Sequence, residues 1–141
     1  MTVPEGRSEA TGESVSAPQA TETDRIAAAQ AYIDALVSHD ASGVPFARGC
    51  TRIEFGLKTG FSGNHLRRSL NGGPQYLVIR SATQPEFTVD GDRVRARFDL
   101  ATKPSIAGRR VGAHVDETFL IPAADGQIHH IRAIVRPFLT R

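Results

Sequence analysis

Apolar and polar residues alternate along one stretch near the end of the chain, and a single acid breaks the pattern. Val111, Val115 and Phe119 share one parity, which places their side chains on one face of a pleated strand. Glu117 falls on the same parity. Because an unpaired carboxylate is costly to bury, the pattern predicts that Glu117 has a partner, is kept neutral by a raised pKa, or faces a polar cavity.

The beginning of the chain after its polar tail has helical periodicity. Ile26, Ile33 and Leu36 recur at helical spacing behind Thr21 or Thr23, either of which is a suitable N-cap. The pattern predicts a long amphipathic helix. Tyr32 lies at the edge of its apolar face, so we expect a buried ring with a hydroxyl that reaches a polar partner.

A strand is predicted over residues 50–57, after this helix and a short turn. Ile53, Phe55 and Leu57 lie on one parity, and Arg52 and Glu54 lie on the other. If this is a plain half-buried strand, Glu54 faces water beside Arg52. The alternative is that Glu54 faces the interior, and the local pattern leaves both orientations open.

A short helix with Ser62 as its N-cap follows, and the pattern then changes to strands from Gln75 onward. Tyr76 to Arg80 is an apolar run, and Asp90-Gly91-Asp92 is a hairpin turn. A long helix, a strand, a short helix and then four antiparallel strands predict an α+β fold: a cone-like curved antiparallel sheet wrapped over the long N-terminal helix, with short helices closing a pocket.

Length and composition set the domain organisation. The chain has 141 residues, which is enough for one domain with a real core. Residues 1–22 are rich in Ser, Thr, Glu, Gly and Pro, which predicts a disordered tail, and residues 23–141 are predicted to form the domain. The chain lacks an apolar run of membrane-spanning length and a secretion signal, so we expect a cytoplasmic protein without membrane contact.

Charge and cysteine content exclude several classes of function. The chain carries 17 Lys and Arg against 15 Asp and Glu, with few aromatic residues, so nothing supports nucleic-acid binding. Cys50 is the single cysteine and no spaced zinc set occurs, so we expect no metal. Phosphate loops, dinucleotide fingerprints and nucleophile elbows do not occur either.

Short motifs along the chain then point to a known family. They are Gln30-Ala31-Tyr32 in the first helix, Thr51-Arg52-Ile53-Glu54 in the first strand, Ser62-Gly63 at the short helix, Glu117-Thr118-Phe119 and Gly126-Gln127-Ile128. Their order and spacing resemble the nuclear transport factor 2-like superfamily, and within it the ketosteroid isomerase and polyketide cyclase branch. The resemblance covers residues 25–137, nearly the whole predicted domain.

The resemblance implies roles for three residues. Glu54 falls at the position of the general base, Tyr32 at the first oxyanion donor and Glu117 at the second. This chain has glutamates where those isomerases have aspartates, and Arg52 could hold Glu54 as a structural carboxylate. Asp116 competes with Glu117 if the strand register slips by one residue. The residues predicted to line the substrate pocket are Phe55, Phe98, Phe119, His129, Ile131 and Val135.

The function that follows is a cofactor-independent isomerase or cyclase that acts by proton transfer on a hydrophobic, steroid-like or polyketide-like carbonyl compound. One alternative is a non-catalytic ligand-binding or dimerisation module. Another is an epoxide hydrolase or dehydratase that uses the same pocket. A homodimer is expected through the convex sheet face, which the pattern gives an arginine row together with Ile128, His130 and Ile134.

Overall fold

The predicted N-terminal helix is α1 (Glu22–Ser38), and Thr21 is its N-cap. The computed structural model of the protein describes residues 18–106 and 108–140. Thr21 and Asp24 form a reciprocal capping box, which satisfies free backbone N–H groups of the first turn. The helix is therefore confirmed with its start at the first of the two candidate threonines. Residues 1–17 of the predicted tail lie outside the described residues.

The described strands form one curved sheet with α1 on its inner face. The strands are β1 (Phe46–Glu54), β2 (Leu57–Gly60), β3 (Ile79–Ala82), β4 (Glu86–Asp90), β5 (Arg93–Ile106), β6 (Arg109–Leu120) and β7 (Ile128–Thr140). The hydrogen-bonded order is β2-β1-β7-β6-β5-β3, and β4 also pairs with β5. The α+β class and the curved sheet over a long helix are confirmed.

One pair of strands differs from the predicted antiparallel sheet. β1 and β7 run parallel, whereas every other described pair is antiparallel. The sheet is therefore mixed. The apolar and polar pattern of a strand indicates which of its residues are buried, but not the direction of the neighbouring strand. The parallel pairing of β1 and β7 could therefore not be predicted from this pattern.

The strand predicted over residues 50–57 is in fact a hairpin. β1 ends at Glu54, β2 begins at Leu57, and the two residues between them, Phe55 and Gly56, both have positive φ. Two central residues with positive φ are what a type I′ turn requires. The predicted inward parity is wrong at this point: Phe55 and Leu57 are exposed, and Arg52 is buried.

Two helices follow the hairpin. The first is α2 (Gly63–Gly72), and the Ser62 side chain accepts a hydrogen bond from the His65 N–H, which confirms the predicted N-cap. The second is α3 (Pro74–Leu77), so Tyr76 lies in a helical turn and not in the predicted strand. Pro74 at the first helical position explains why this short turn forms. Among the described residues, no helix has the length and apolarity needed to cross a membrane.

Candidate acid-base site

A fully buried guanidinium occupies the space between α1, α2 and the β1–β2 hairpin. Arg52 Nη1 donates to the Tyr32 hydroxyl at 3.3 Å, and Nη2 donates to the Ser69 hydroxyl at 3.2 Å. Nε donates to Thr59 Oγ1 at 3.1 Å, and Nη2 also reaches the Thr59 carbonyl at 3.0 Å. Burial opposes the charge, but the attraction of Tyr32, Tyr76 and Glu54 raises the pKa of Arg52, which therefore stays cationic.

Glu54 is the carboxyl group nearest to this guanidinium. Its Oε1 atom accepts hydrogen bonds from the Tyr76 hydroxyl at 2.7 Å and from the Thr59 hydroxyl at 3.0 Å. The same oxygen lies 3.6 Å from Arg52 Nε. Two donors and a cation thus converge on one carboxylate oxygen, and they fix the orientation of the group.

Glu117 lies on the inner face of β6 and is only 2% exposed. Its Oε1 atom is buried and has no hydrogen-bond partner among the described residues. Burial, reinforced by repulsion from Glu54 and opposed by Arg52, raises the pKa of Glu117 to about 8. At neutral pH this group is mainly a neutral acid that can donate a proton.

Tyr32 connects α1 to the buried guanidinium of Arg52. Its ring is completely buried and meets the Phe119 ring edge-on, with centroids 5.4 Å apart. Burial, followed by repulsion from Glu117, raises the pKa of the hydroxyl well above its ordinary value, so the group keeps its proton. Because the oxygen accepts from Arg52, its own proton is directed elsewhere. Tyr32 was predicted at the edge of the apolar face of the helix, and in the structure its side chain is completely buried.

The chain matches one family along most of its length. A family described as a domain of unknown function, DUF8021, matches residues 18–135. The chain belongs to the DUF8021 family. A search of curated proteins found no match to this DUF8021 protein.

Solved structures show which fold the DUF8021 domain shares. An LEH-like epoxide hydrolase from M. tuberculosis is 20% identical, with a TM-score of 0.64 over 81% of this chain and 84% of that one. The epoxide hydrolase/cyclase-like enzyme SalBIII, of pyran ring formation in the polyether salinomycin, is 15% identical, with a TM-score of 0.62 over 82% and 92%. A de novo designed protein with a curved β-sheet is 11% identical, with a TM-score of 0.64 over 82% and 88%.

These similarities establish a nuclear transport factor 2-like cone fold for the DUF8021 domain. The ketosteroid isomerase branch is not singled out by them. A designed protein shares the fold to the same degree as a natural enzyme, so the chemistry has to be argued from side chains.

The structure brings two of the three predicted catalytic residues, Tyr32 and Glu54, into contact with Arg52, and Glu117 lies within the electrostatic influence of this group. Arg52 contacts Tyr32 and Glu54 directly, and the charges of Glu54 and Arg52 act on Glu117. Asp116, the alternative to Glu117, points outward and accepts a hydrogen bond from Arg95 at 2.8 Å. The inward acid of this strand is therefore Glu117.

The residues predicted to line a pocket differ in burial and do not lie together on one surface. Phe98, Phe119 and Ile131 are in the hydrophobic core, Val135 is half-buried, and Phe55 is exposed at the hairpin turn. His129 bonds to Asp125 at 2.8 Å near the start of β7 and has a 40% exposed side chain. The alternation of β7 is interrupted there, since Ile128 and Ile131 are both buried. Ile128 is therefore not on the outer face, where it was predicted.

Sequence reasoning missed three members of the cluster. Thr59 occupies an irregular position in the β1–β2 register, where Arg52 pairs with Gly60 and Ile53 pairs with Lys58. This β-bulge turns the Thr59 hydroxyl toward Arg52 and Glu54. Tyr76 and Ser69 come from the two short helices. The contacts of these three residues depend on a bulge and on how the helices pack, so the spacing of residues in the sequence does not predict them.

The concavities found on the DUF8021 domain lie away from this cluster. One of about 370 Å³ lies on the outer sheet face between Arg95, Asp116 and Arg132. Another of about 260 Å³ lies at the far end of the sheet beside Leu100, Gly112 and Phe138. In the described part of the chain, no three metal-binding side chains come together.

Proposed function

We propose that this protein is a cofactor-independent enzyme that moves a proton on a neutral, hydrophobic carbonyl compound. Glu54 is the base, and Glu117 and Tyr32 are the donors that stabilise the developing oxyanion. The observation that carries the proposal is the unequal environment of the two glutamates. Glu54 is surrounded by donors and a cation, and Glu117 is buried with an unpartnered oxygen. Two acids in one cluster with opposed surroundings are typical of an acid-base pair.

Charge balance supports a neutral substrate. Arg52 contributes one positive charge and Glu54 one negative charge, while the raised pKa of Glu117 keeps that residue mainly uncharged. The cluster is then close to neutral. An added buried charge would have to be desolvated without a partner, which disfavours ionic substrates.

The reaction starts with removal of a proton from the carbon next to the substrate carbonyl. Glu54 accepts this proton, and the electron pair of the C–H bond moves to the carbonyl oxygen to give an enolate. Once the substrate has displaced the side chains that cover them, the neutral Glu117 carboxyl and the Tyr32 hydroxyl, both buried in the structure, donate hydrogen bonds to that oxygen. Return of the proton from Glu54 to a different carbon gives an isomer. Attack of the enolate carbon on a second carbonyl gives a ring, and the proton on Glu54 then passes to the new alkoxide oxygen.

Nitrobenzisoxazole tests the base without knowledge of the natural substrate, because its ring opens when a base removes its carbon-bound proton. A β,γ-unsaturated steroid ketone tests isomerisation. Glu54→Gln should lower both rates by about a thousandfold, because the base is lost, while the free energy of unfolding changes by about 1 kcal/mol. Asp116→Asn, one residue from Glu117 on the outer face, is the matched control and should leave both rates unchanged. Full turnover by Glu54→Gln would contradict the proposal.

Opening of an epoxide is the second candidate, and the neutral state of Glu117 favours it. Glu117 would protonate the epoxide oxygen while Glu54 removes a proton from the attacking water. Two of the similar structures are described as epoxide hydrolase or epoxide hydrolase/cyclase-like enzymes. Methylcyclohexene oxide separates the candidates. Its hydrolysis should need both glutamates, whereas ring opening of nitrobenzisoxazole should survive Glu117→Gln.

A further inference from the structure

The turn between β1 and β2 holds an aromatic residue in an unfavourable backbone conformation. Phe55 has φ 54° and is 67% exposed. A bulky residue with positive φ is a strained exception, and type I′ turns favour Asn or Gly at this position. An exposed aromatic ring adds nothing to the core. Because this strained conformation is not offset by burial of the ring, it is a reason to look for a functional role.

Leu57 extends the same apolar surface beside the candidate base. It pairs directly with Glu54 across the hairpin, and paired residues place their side chains on the same face of a ladder. Leu57 is also 67% exposed. Leu57 is therefore an exposed apolar side chain beside Glu54, and Phe55, the next residue after Glu54, adds a second one at the turn.

This end of the cluster is also its accessible end. The Glu54 side chain is 16% exposed, whereas Arg52 and Tyr32 are completely buried. On the other side of Glu54, Tyr76 donates to its carboxylate, and the next residue, Leu77, is exposed as well. Phe55, Leu57 and Leu77 are thus exposed apolar side chains next to Glu54 or to its partner Tyr76, and we call them the apolar rim.

We infer that Phe55 and Leu57 bind the apolar body of the ligand whose polar group reaches Glu54. The hairpin turn is then a specificity element: a flat or elongated hydrocarbon body covers the two side chains, and their burial contributes to affinity. The inference rests on the proposed function for the chemical class of the ligand. The occupant is a neutral hydrophobic small molecule, because Leu57 pairs with the candidate base Glu54 and the rim side chains carry no charge.

The test uses a substitution that should improve the fold and damage binding. Phe55→Asn places a favoured residue in the type I′ turn, so the thermal unfolding midpoint should stay unchanged or rise. The probe is prodan, a neutral naphthalene ketone whose fluorescence reports apolar surroundings. Phe55→Asn and Leu57→Thr should each weaken the Kd for prodan about tenfold. Ile134→Thr removes a comparably exposed side chain from the outer face and should leave the Kd unchanged.

Several results would overturn the inference. They are prodan affinity that is the same in wild type and both hairpin variants, wild-type protein that does not bind prodan, and a large fall in the unfolding midpoint of Phe55→Asn. A wild-type dimer in sedimentation that Phe55→Asn dissociates would assign the rim to a subunit contact instead. Failure of the proposed function is distinct: prodan binding would still depend on the hairpin, but wild type would not turn over nitrobenzisoxazole.

Discussion

Asp116 and Glu117 follow one another in β6, and the two faces of the sheet give them opposite acid-base behaviour. On the outer face, the hydrogen bond from Arg95 lowers the pKa of Asp116. On the inner face, burial raises the pKa of Glu117 to about 8. Both faces carry arginines, so the presence of a cation does not explain the difference. Burial is the main cause of the raised pKa of Glu117, and direct contact widens the difference: Arg95 bonds to Asp116, whereas Arg52 directs its hydrogen bonds to neutral oxygens.

The comparison also concerns solvent. The outer arginines are half-exposed, and water screens their ion pairs. The inner guanidinium is removed from water and relies on four hydrogen bonds and one carboxylate at 3.6 Å. We therefore expect substitutions of the same kind to have large effects on the inner face and small ones on the outer face.

The largest expected effect is the pH dependence that Glu117 imposes on stability. The folded-state pKa is about 8 and the ordinary value is 4.5. Between these values the unfolded chain loses the proton first, so the contribution of Glu117 is greatest below pH 4.5 and is lost as pH rises toward 8. The loss is on the order of 5 kcal/mol. Urea unfolding from pH 4 to pH 9 should show it in wild type and not in Glu117→Gln.

Asp116→Asn is the control for that experiment and should act in the opposite direction. In the wild type, the lowered pKa of the Asp116 carboxyl stabilises the fold above the unfolded-state value, and this contribution is lost as pH falls. Asp116→Asn removes this contribution. A Glu117→Gln protein with the same stability profile as wild type would show that Glu117 is charged in the folded state.

The next effect is the loss of the inner cation. Arg52→Met should reduce the free energy of unfolding by about 3 to 5 kcal/mol, because it leaves the Glu54 carboxylate without its cation and removes a donor to Tyr32. Arg97→Met on the outer face should change it by less than about 1 kcal/mol, since its pair with Glu86 is exposed. Chemical denaturation of the two variants measures both changes in the free energy of unfolding. Equal losses would contradict the expected difference between the two faces.

Two glycines test packing on the two faces. A Cβ on Gly60 would lie 2.4 Å from Leu66 Cδ2 and 2.9 Å from Arg52 Cβ, whereas a Cβ on Gly49 would meet nothing within 4 Å. Gly60→Ala should reduce the free energy of unfolding by about 1 to 3 kcal/mol through overpacking. Gly49→Ala should be neutral or slightly stabilising. Thermal unfolding of both variants is sufficient, and a stable Gly60→Ala protein would show that α2 can move away from the hairpin.

The smallest effect belongs to the outer ion pair. A double-mutant cycle on Arg95 and Asp116 should give a coupling energy below about 1 kcal/mol that decreases in high salt. A coupling of several kcal/mol that resists salt would mean that the outer face is shielded from water. That result would support the predicted homodimer through this face, which sedimentation can check directly.

Much of the fold could be predicted because it depends on local signals. The capping threonine and the helical spacing define α1, and the Ser62 cap defines α2. Strict alternation in β6 placed Glu117 inward and Asp116 outward. In each case, neighbours in sequence supply the energy that decides the structure.

The inner face of the β1–β2 hairpin was decided only by tertiary structure. Alternation from Ile53 to Leu57 predicted one continuous strand, but a turn at Phe55-Gly56 and a bulge at Thr59 reverse which residues face inward. Arg52 can be buried there because Tyr32, Thr59 and Ser69 arrive from separate elements to receive its hydrogen bonds. The sequence by itself determined the helix caps, the periodic core and the inward acid, since these depend on adjacent residues. The burial of a charge depends on partners that only the folded chain brings together.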